Sequence, residues 1–186
     1  MKGVVLVEGI SDRIALETLA RRRGRDLEAE GISVIAMGGA QAIGGFLERF
    51  GPAGLGTALA GLCDAGEEDE FRRGLERAGL GSGLTRADME RLGFYVCDAD
   101  LEDELIRALG AAKVEQAIEA QGDLQPFRTL QKQAAWRGRP AEVQLRRFMG
   151  SGGRRKMRYA RILVNALELN RVPRPLDAAL AQSQRV

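Results

Sequence analysis

Short apolar segments alternate with helical patterns through the first 110 residues, and this alternation limits the folds available to the chain. Four segments are short, apolar and partly β-branched, which is typical of buried strands. These predicted strands are Lys2–Val7, Ile32–Met37, Ala58–Cys63 and Phe94–Cys97. Because a helical pattern follows each one, the sequence predicts an α/β fold with a mainly parallel, four-stranded sheet flanked by helices.

The rest of the chain has helical patterns and no strand-like segment. The predicted helices are Ala111–Gln121, Pro126–Trp136, Pro140–Met149 and Arg155–Asn170. We expect an α/β catalytic core over residues 1–110, a basic helical extension packed on that core over residues 111–176, and a flexible tail over residues 177–186.

The absence of histidine narrows the chemistry that an active site could use. It excludes Ser-His-Asp triads and histidine–metal sites. The isolated cysteines, Cys63 and Cys97, give neither a disulfide framework nor a zinc-binding pattern, and we expect both to be small buried hydrophobes. Catalysis would therefore depend on carboxylates with Lys and Arg, and carboxylate ligands favour Mg²⁺ or Mn²⁺.

Hydrophobic segments in this chain are short. None approaches the run of about 20 apolar residues that a membrane span requires. The N-terminal sequence MKGVVLVEG is too short an apolar run for a signal peptide. We expect a cytosolic protein with no membrane partner.

Acidic residues follow three of the four predicted strands. Glu8, Asp64 and the pair Asp98 and Asp100 come directly after strand ends. Because ligands of parallel α/β sheets bind at the carboxyl ends of the strands, these side chains should meet at one edge. Their mutual repulsion would need a cation. A single acid in this position is more often a helix cap, and Asp12 and Asp100 both suit that role.

Basic residues are concentrated in the C-terminal third. Residues 127–161 contain one acid, Glu142, against eleven basic residues. A basic segment next to an acidic one predicts a polyanionic partner, above all nucleic acid. Trp136 and Tyr159 could stack on bases, although packing in the core is the favoured interpretation for both.

Four sequence motifs together resemble one protein family. Residues 5–12, VLVEGISD, resemble the first motif of TOPRIM domains, the catalytic module of topoisomerases, primases and several nucleases. Residues 97–105, CDADLEDEL, resemble more specifically the OLD (overcoming lysogenization defect) nucleases. Residues 153–160, GRRKMRYA, are similar to the C-terminal lysine motif of those nucleases, and residues 172–176 continue the likeness.

The sequence departs from this family in two respects. TOPRIM domains usually carry D-x-D after the third strand, whereas this chain has Asp64-Ala65-Gly66. Glu67, Glu68 or the cluster of residues 98–102 could supply the missing ligand, so the number of metal ions stays open. The chain also lacks a G-x-x-x-x-G-K-[ST] motif, which predicts a stand-alone TOPRIM chain without the ATPase domain of OLD nucleases.

The resemblance implies metal-dependent phosphodiester chemistry on nucleic acid, most specifically by a DNA endonuclease. Glu8 and Lys156 are then the expected catalytic residues. The expected Mg²⁺ or Mn²⁺ ligands are Glu8, Asp12, Asp64, Asp98, Asp100 and Glu102, with Glu68 as a further candidate. The residues expected to contact the nucleic-acid backbone are Arg146, Arg147, Arg154, Arg155 and Arg158.

Other interpretations of the same residues stay open at this point. A non-catalytic module could keep the fold and bind nucleic acid or a protein partner without turnover. A primase-like nucleotidyltransferase would use the same acids. RNA is the second substrate class after DNA, and both a separate ATPase subunit and a homodimer are partners that the sequence allows.

Overall fold

The computed structural model of the chain describes residues 2–183. These residues form four strands and ten α-helices. The strands are β1 (Gly3–Val7), β2 (Ile32–Ala36), β3 (Ala58–Cys63) and β4 (Phe94–Val96). The helices are α1 (Ile10–Arg22), α2 (Ile43–Phe50), α3 (Glu68–Arg77), α4 (Arg86–Arg91), α5 (Leu101–Leu109), α6 (Ala111–Ala120), α7 (Leu124–Lys132), α8 (Ala141–Met149), α9 (Gly153–Ala166) and α10 (Arg174–Gln182).

The four strands form one parallel sheet in the order β2-β1-β3-β4. The chain therefore runs from β1 to β2 on one side and then returns to place β3 on the other side of β1. Ligands of open α/β sheets bind at such a switch in strand order, at the carboxyl ends of the strands. In this protein that position lies between the ends of β1 and β3.

Both faces of the sheet are covered, as the uninterrupted apolar sequence of β1 predicts. Every residue of β1 is buried. Val5 and Val7 join one apolar cluster with α1 and the C-terminal helices. Val4 and Leu6 join a second cluster with α2, α3 and α4 on the other face. Since successive strand residues point to opposite faces, a shift of one residue would exchange the two sets.

The helices after residue 110 share the core of the sheet. Tyr159 and Leu163 of α9 are buried in the same apolar cluster as Leu16 and Leu19 of α1. Each fully buried leucine contributes about 1.5–3 kcal/mol relative to an exposed one, so this contact is a major part of the fold. A domain boundary at residue 110 stays a prediction.

The expected flexible tail over residues 177–186 is corrected for the part that the structure describes. Residues 174–182 form α10, in which Leu176, Ala179 and Leu180 are buried. This helix packs against β3 and β4 and covers that end of the sheet. Residues 184–186 of the predicted tail lie outside the described residues. Within residues 2–183, no helix has the length and apolar character needed to cross a membrane.

Candidate functional site

Glu8 and Asp64 meet at the switch point of the sheet. Glu8 directly follows β1, and its carboxylate accepts the backbone N–H of Asp64, with 2.8 Å between Asp64 N and Glu8 Oε1. The N–H groups of Gly38 and Gly39 donate to the backbone carbonyl of Glu8, at 3.0 and 3.1 Å. Both glycines have positive φ angles, 82° and 133°, which a side chain would strain. These contacts hold the strand tips in register.

Asp12 lies in the first turn of α1 and is buried, with 8% of its surface exposed. Its carboxylate accepts the backbone N–H of Gly9, with 2.8 Å between Gly9 N and Asp12 Oδ2. The side chain therefore does cap the helix, as its position in sequence suggests. One carboxylate oxygen is used in this bond, which leaves the other for a second role.

Asp100 and Glu102 approach from the start of α5. Asp100 caps that helix by accepting the N–H of Asp103 at 2.8 Å, and its second oxygen accepts Arg146 Nε at 2.7 Å. Glu102 is buried, with 6% of its surface exposed. Its Oε2 atom lies 3.3 Å from Lys156 Nζ. The predicted lysine is thus brought to the acidic residues by α9.

Lys156 lies among several carboxylates rather than beside one. Burial alone would lower the pKa of its ammonium group, but the negative charges of Glu102, Asp12 and Asp64 raise that pKa overall. The amine stays protonated at neutral pH. It thereby supplies the positive charge that this group of acids requires.

The carboxylates raise one another's pKa values. The pKa of Asp64 is raised to about 8, mainly by burial and further by the negative charges of Glu8, Asp12 and Asp100. Burial also raises the pKa of Glu8; the N–H of Asp64 opposes the shift, while Asp12 and Glu67 increase it. The pKa of the Asp12 carboxyl is raised mainly by its burial.

The pKa of the Glu102 carboxyl is also raised. Burial raises the pKa of its carboxyl, although Lys156 opposes that shift. Clusters of acids with pKa values raised by burial and by like charges are typical of functional sites. We name the group of Glu8, Asp12, Asp64, Asp100, Glu102 and Lys156 the acidic site.

The donor set of the acidic site fits a hard divalent cation. All of its candidate ligands are carboxylate oxygens, which Mg²⁺ and Mn²⁺ prefer. In the present arrangement, several of these oxygens are held by N–H groups, by Arg146 or by Lys156. Within residues 2–183, no group of three or more acids or cysteines is arranged as a complete metal site. Coordination would require side-chain rotation.

The structure pairs Asp98, a predicted metal ligand, with an arginine outside the acidic site, and its role as a ligand stays a prediction. Its side chain is 70% exposed and pairs with Arg107 at 3.1 Å. The buried Glu104 accepts the N–H of Asp98 at 2.8 Å and also pairs with Arg107 at 3.0 Å. These contacts hold the Asp98 carboxylate beside Arg107, and they stabilise the loop before α5.

Glu68 also lies outside the acidic site. Its carboxylate pairs with Arg86 across the loops that precede α3 and α4. The negative charge of the neighbouring Glu67 contributes to the raised pKa of Glu8. Which residue replaces the missing second aspartate, Glu67, Glu68 or the cluster of residues 98–102, stays a prediction.

The predicted backbone-binding arginines have different surroundings. Arg146 is committed to Asp100, and Arg158 pairs with Asp123. Arg155 donates to the Ser151 hydroxyl at 2.5 Å and lies over the Phe148 ring, 4.2 Å from its centroid. Arg154 is exposed beside it at the start of α9. Their contact with nucleic acid stays a prediction. The pairing of Arg146 with Asp100 joins residues 46 positions apart, so no local sequence pattern could have revealed it.

Comparison with known families agrees with the motifs. The family model described as "Overcoming lysogenization defect protein-like, TOPRIM domain" matches residues 1–65. Residues 1–65 are therefore similar to an OLD-like TOPRIM domain. This segment carries Glu8, Asp12 and Asp64, so three carboxylates of the acidic site belong to the matched TOPRIM region.

Solved structures share the fold of nearly the whole chain. The C-terminal region of the Burkholderia pseudomallei OLD protein has a TM-score of 0.76 and 21% identity, covering 99% of this chain and 97% of that one. The C-terminal region of the Xanthomonas campestris pv. campestris OLD protein has a TM-score of 0.74 and 22% identity, covering 99% and 95%. Comparison with curated proteins gives no match. The predicted TOPRIM recognition and the predicted fold class are confirmed.

Proposed function

We propose that this chain catalyses divalent-metal-dependent hydrolysis of phosphodiester bonds in nucleic acid, as a DNA endonuclease. The observation that carries the proposal is the contact between Glu8 and Asp64 at the switch point of the sheet. It joins the tips of two neighbouring strands, and Asp12, Asp100, Glu102 and Lys156 surround them. Lys156 offsets only part of the negative charge of five carboxylates, and a bound divalent cation would offset more of it.

The acidic site would hold Mg²⁺ or Mn²⁺ through Glu8, Asp12 and Asp64 from the TOPRIM segment and through Asp100 and Glu102 from α5. A divalent ion bound there would supply positive charge to the phosphate and lower the pKa of a water molecule. Whether one or two ions bind depends on how many of these carboxylates can rotate toward a common point.

Lys156 would neutralise negative charge on the scissile phosphate. Its flexible side chain carries a compact charge, and its ammonium group is already held next to Glu102 and kept protonated by its neighbours. Binding of a cation by Glu102 would release the amine toward the substrate. Glu8 would either ligate the cation or accept a proton from the attacking water, since its raised pKa suits a general base.

The basic C-terminal helices would hold the nucleic-acid backbone against this site. Arg154 and Arg147 are exposed, and their charge would give salt-sensitive affinity with little dependence on sequence. By its likeness to OLD proteins, we further propose that an ATPase acts together with this chain. Purification of the active form without any nucleotide-hydrolysing component would contradict that partner.

A plasmid-cleavage assay tests the proposed activity. Supercoiled plasmid is incubated with the purified protein and Mg²⁺ or Mn²⁺, and the Glu8→Ala variant is prepared in parallel. We expect nicked or linear plasmid with the wild-type protein, and none with the variant or with chelator. Equal cleavage by both proteins would identify a contaminating nuclease and would remove support for the proposal.

One observation favours a second candidate, a nucleic-acid-binding or partner-docking module without turnover. Gly66 stands where TOPRIM domains usually have a second aspartate, and Lys156 already neutralises part of the acidic site. Labelled DNA that binds in chelator, and is cut with neither Mg²⁺ nor Mn²⁺, would support this candidate over the nuclease.

A further inference from the structure

Trp136 is the single tryptophan of the chain, and the structure does not use it in the core. It lies in the loop between α7 and α8 and is partly exposed. Among the described residues, neither apolar cluster includes it. The interpretation of Trp136 as a core residue is therefore corrected, whereas Tyr159 is buried as expected.

Two arginines lie over the Trp136 ring. The guanidinium carbon of Arg139 is 5.3 Å from a ring centroid of Trp136, and that of Arg147 is 5.7 Å away. Cation–π attraction holds each guanidinium near the ring. An indole with two adjacent positive charges is a surface that suits a flat, electron-rich ring joined to a phosphate.

Hydrogen bonds to both its carbonyl and its N–H fix the backbone of Trp136. The buried side chain of Gln144 donates from Nε2 to the Trp136 carbonyl at 2.8 Å. The other end of that amide accepts Gln131 Nε2 at 2.8 Å, so its orientation is set by two helices. The Trp136 N–H donates to the Gln133 carbonyl at 2.9 Å. This anchoring lowers the entropy lost when a ligand stacks on the ring.

The position of Trp136 relates it to the acidic site. Arg147 follows Arg146 directly on α8, and Arg146 pairs with Asp100 at 2.7 Å. Successive helix residues point about 100° apart because an α-helix has about 3.6 residues per turn. One arginine therefore reaches the acidic site while the next reaches Trp136. A strand lying along α8 could contact both.

We propose that Trp136, with Arg139 and Arg147, is a stacking site for an unpaired base of single-stranded nucleic acid. Bases in a duplex present no free face, so this site would select single strands, ends or distorted regions. An incoming base would replace one guanidinium on the ring, and that arginine could then contact the adjoining phosphate. The inference rests on the proposed function for its place beside the acidic site.

Intrinsic fluorescence provides the test, because the chain has one tryptophan. The protein in chelator is titrated with an oligothymidylate, an oligouridylate and a duplex of equal length. We expect saturable quenching by the single strands, DNA or RNA, and much weaker quenching by the duplex. Chelator prevents cleavage, so the measurement is independent of whether the acidic site has turnover.

Variants measured with labelled oligonucleotide test whether the aromatic ring of Trp136 is needed for single-strand binding. We expect Trp136→Ala to weaken single-strand binding about 10-fold or more, and Trp136→Phe to retain most of it. Leu55→Ala is the matched control, since Leu55 is an exposed apolar side chain at 64%. It should bind as the wild type does.

Three results would overturn the inference. They are an absence of quenching, equal quenching by duplex and single strand, and single-strand affinity unchanged in Trp136→Ala. A failed plasmid assay together with single-strand quenching would remove the nuclease proposal and keep the stacking site. Plasmid cleavage without quenching would keep the nuclease proposal and remove the stacking site.

Discussion

The carboxylate of Glu8 accepts the backbone N–H of Asp64, and this 2.8 Å hydrogen bond joins the tips of β1 and β3. It orients one acid by the backbone of the other and leaves the Asp64 side chain free to respond to a cation. The contact thereby concentrates negative charge between the two strands.

Replacement of Glu8 by glutamine should separate the role of its charge in cleavage from the role of its hydrogen bond in stability. Glutamine keeps an oxygen that can accept the Asp64 N–H and removes a buried negative charge, so we expect a melting temperature in chelator at least as high as that of the wild type. We expect metal-dependent cleavage to fall by about 100-fold or more, since loss of groups that merely support metal ligands already costs about 10–100-fold. Cleavage rate and thermal unfolding measured on the same preparation check this.

Asp98→Asn is the matched control for Glu8→Gln. Asp98 also follows a strand, but its carboxylate pairs with Arg107 outside the acidic site. We expect it to cleave within a few-fold of the wild type. If cleavage by Asp98→Asn fell as far as cleavage by Glu8→Gln, Asp98 would belong to the acidic site.

Metal-free stability should fall as pH rises. The pKa of Asp64 is raised by burial from its ordinary 3.8 to about 8, so the folded protein binds a proton more tightly than the unfolded chain between those values. The stabilisation is complete below pH 4 and is lost as pH rises through about 8. The raised pKa values of Glu8, Asp12 and Glu102 act in the same direction.

Thermal unfolding in chelator from pH 5 to pH 9 measures this loss. Asp64→Asn should reduce the slope without abolishing it, because three other carboxyls contribute. Added Mg²⁺ should stabilise the wild type more at high pH, since a metal must displace the protons. Stability that rises with pH across this window in chelator would contradict the account.

Lys156→Gln should change metal affinity and cleavage in opposite directions. Without the amine, the acidic site is more negative and should bind Mg²⁺ several-fold more tightly, whereas cleavage at saturating Mg²⁺ should fall by about 100-fold. Loss of the pair with Glu102 should cost about 1–2 kcal/mol of stability, less than a fully buried pair, because the Lys156 side chain is 34% exposed.

A Mg²⁺ titration of the melting temperature, combined with cleavage rates, checks this division. Lys156→Arg is the informative companion because it retains charge but not shape. If Lys156→Gln lowers Mg²⁺ affinity and cleavage together, the lysine supports the metal site instead of acting on the substrate.

Gly66→Asp should restore the second acid of the D-x-D pattern. A Cβ atom at Gly66 would meet nothing within 4 Å, and its φ angle is compatible with a side chain. We expect Mg²⁺ to bind on the order of 10-fold more tightly, since affinity follows the number of charged ligands. Gly66→Asn controls for size. Equal affinities of the two variants would show that position 66 does not reach the cation.

Much of the site could be predicted because it depends on short, regular segments. An apolar strand followed by an acid places that acid at the carboxyl edge of a parallel sheet, which located Glu8 and Asp64. The direction of a side chain in the loop beyond a strand could not be predicted in this way, because it depends on tertiary contacts. Asp98 turns to Arg107 because Glu104 holds its backbone N–H, and no strand pattern contains that contact.

Two helices were missed for local reasons. The start of α4 is a capping box in which Thr85 and Asp88 bond each other's backbone N–H, a pattern that was visible in the sequence. The start of α10 has no such pattern, because Pro173 and Pro175 flank its first residue. Proline is tolerated in a first turn, where its missing N–H has no helical partner to lose.

Mn²⁺ binding, measured directly, shows whether these carboxylates form a divalent-cation site. Calorimetry, with electron paramagnetic resonance of bound Mn²⁺, is performed at pH 8 on the wild type, Asp64→Asn, Asp12→Asn and Asp98→Asn. We expect saturable binding by the wild type and Asp98→Asn, and at least 10-fold weaker binding by the other two. No saturable binding by the wild type, or equal binding by all four proteins, would contradict it.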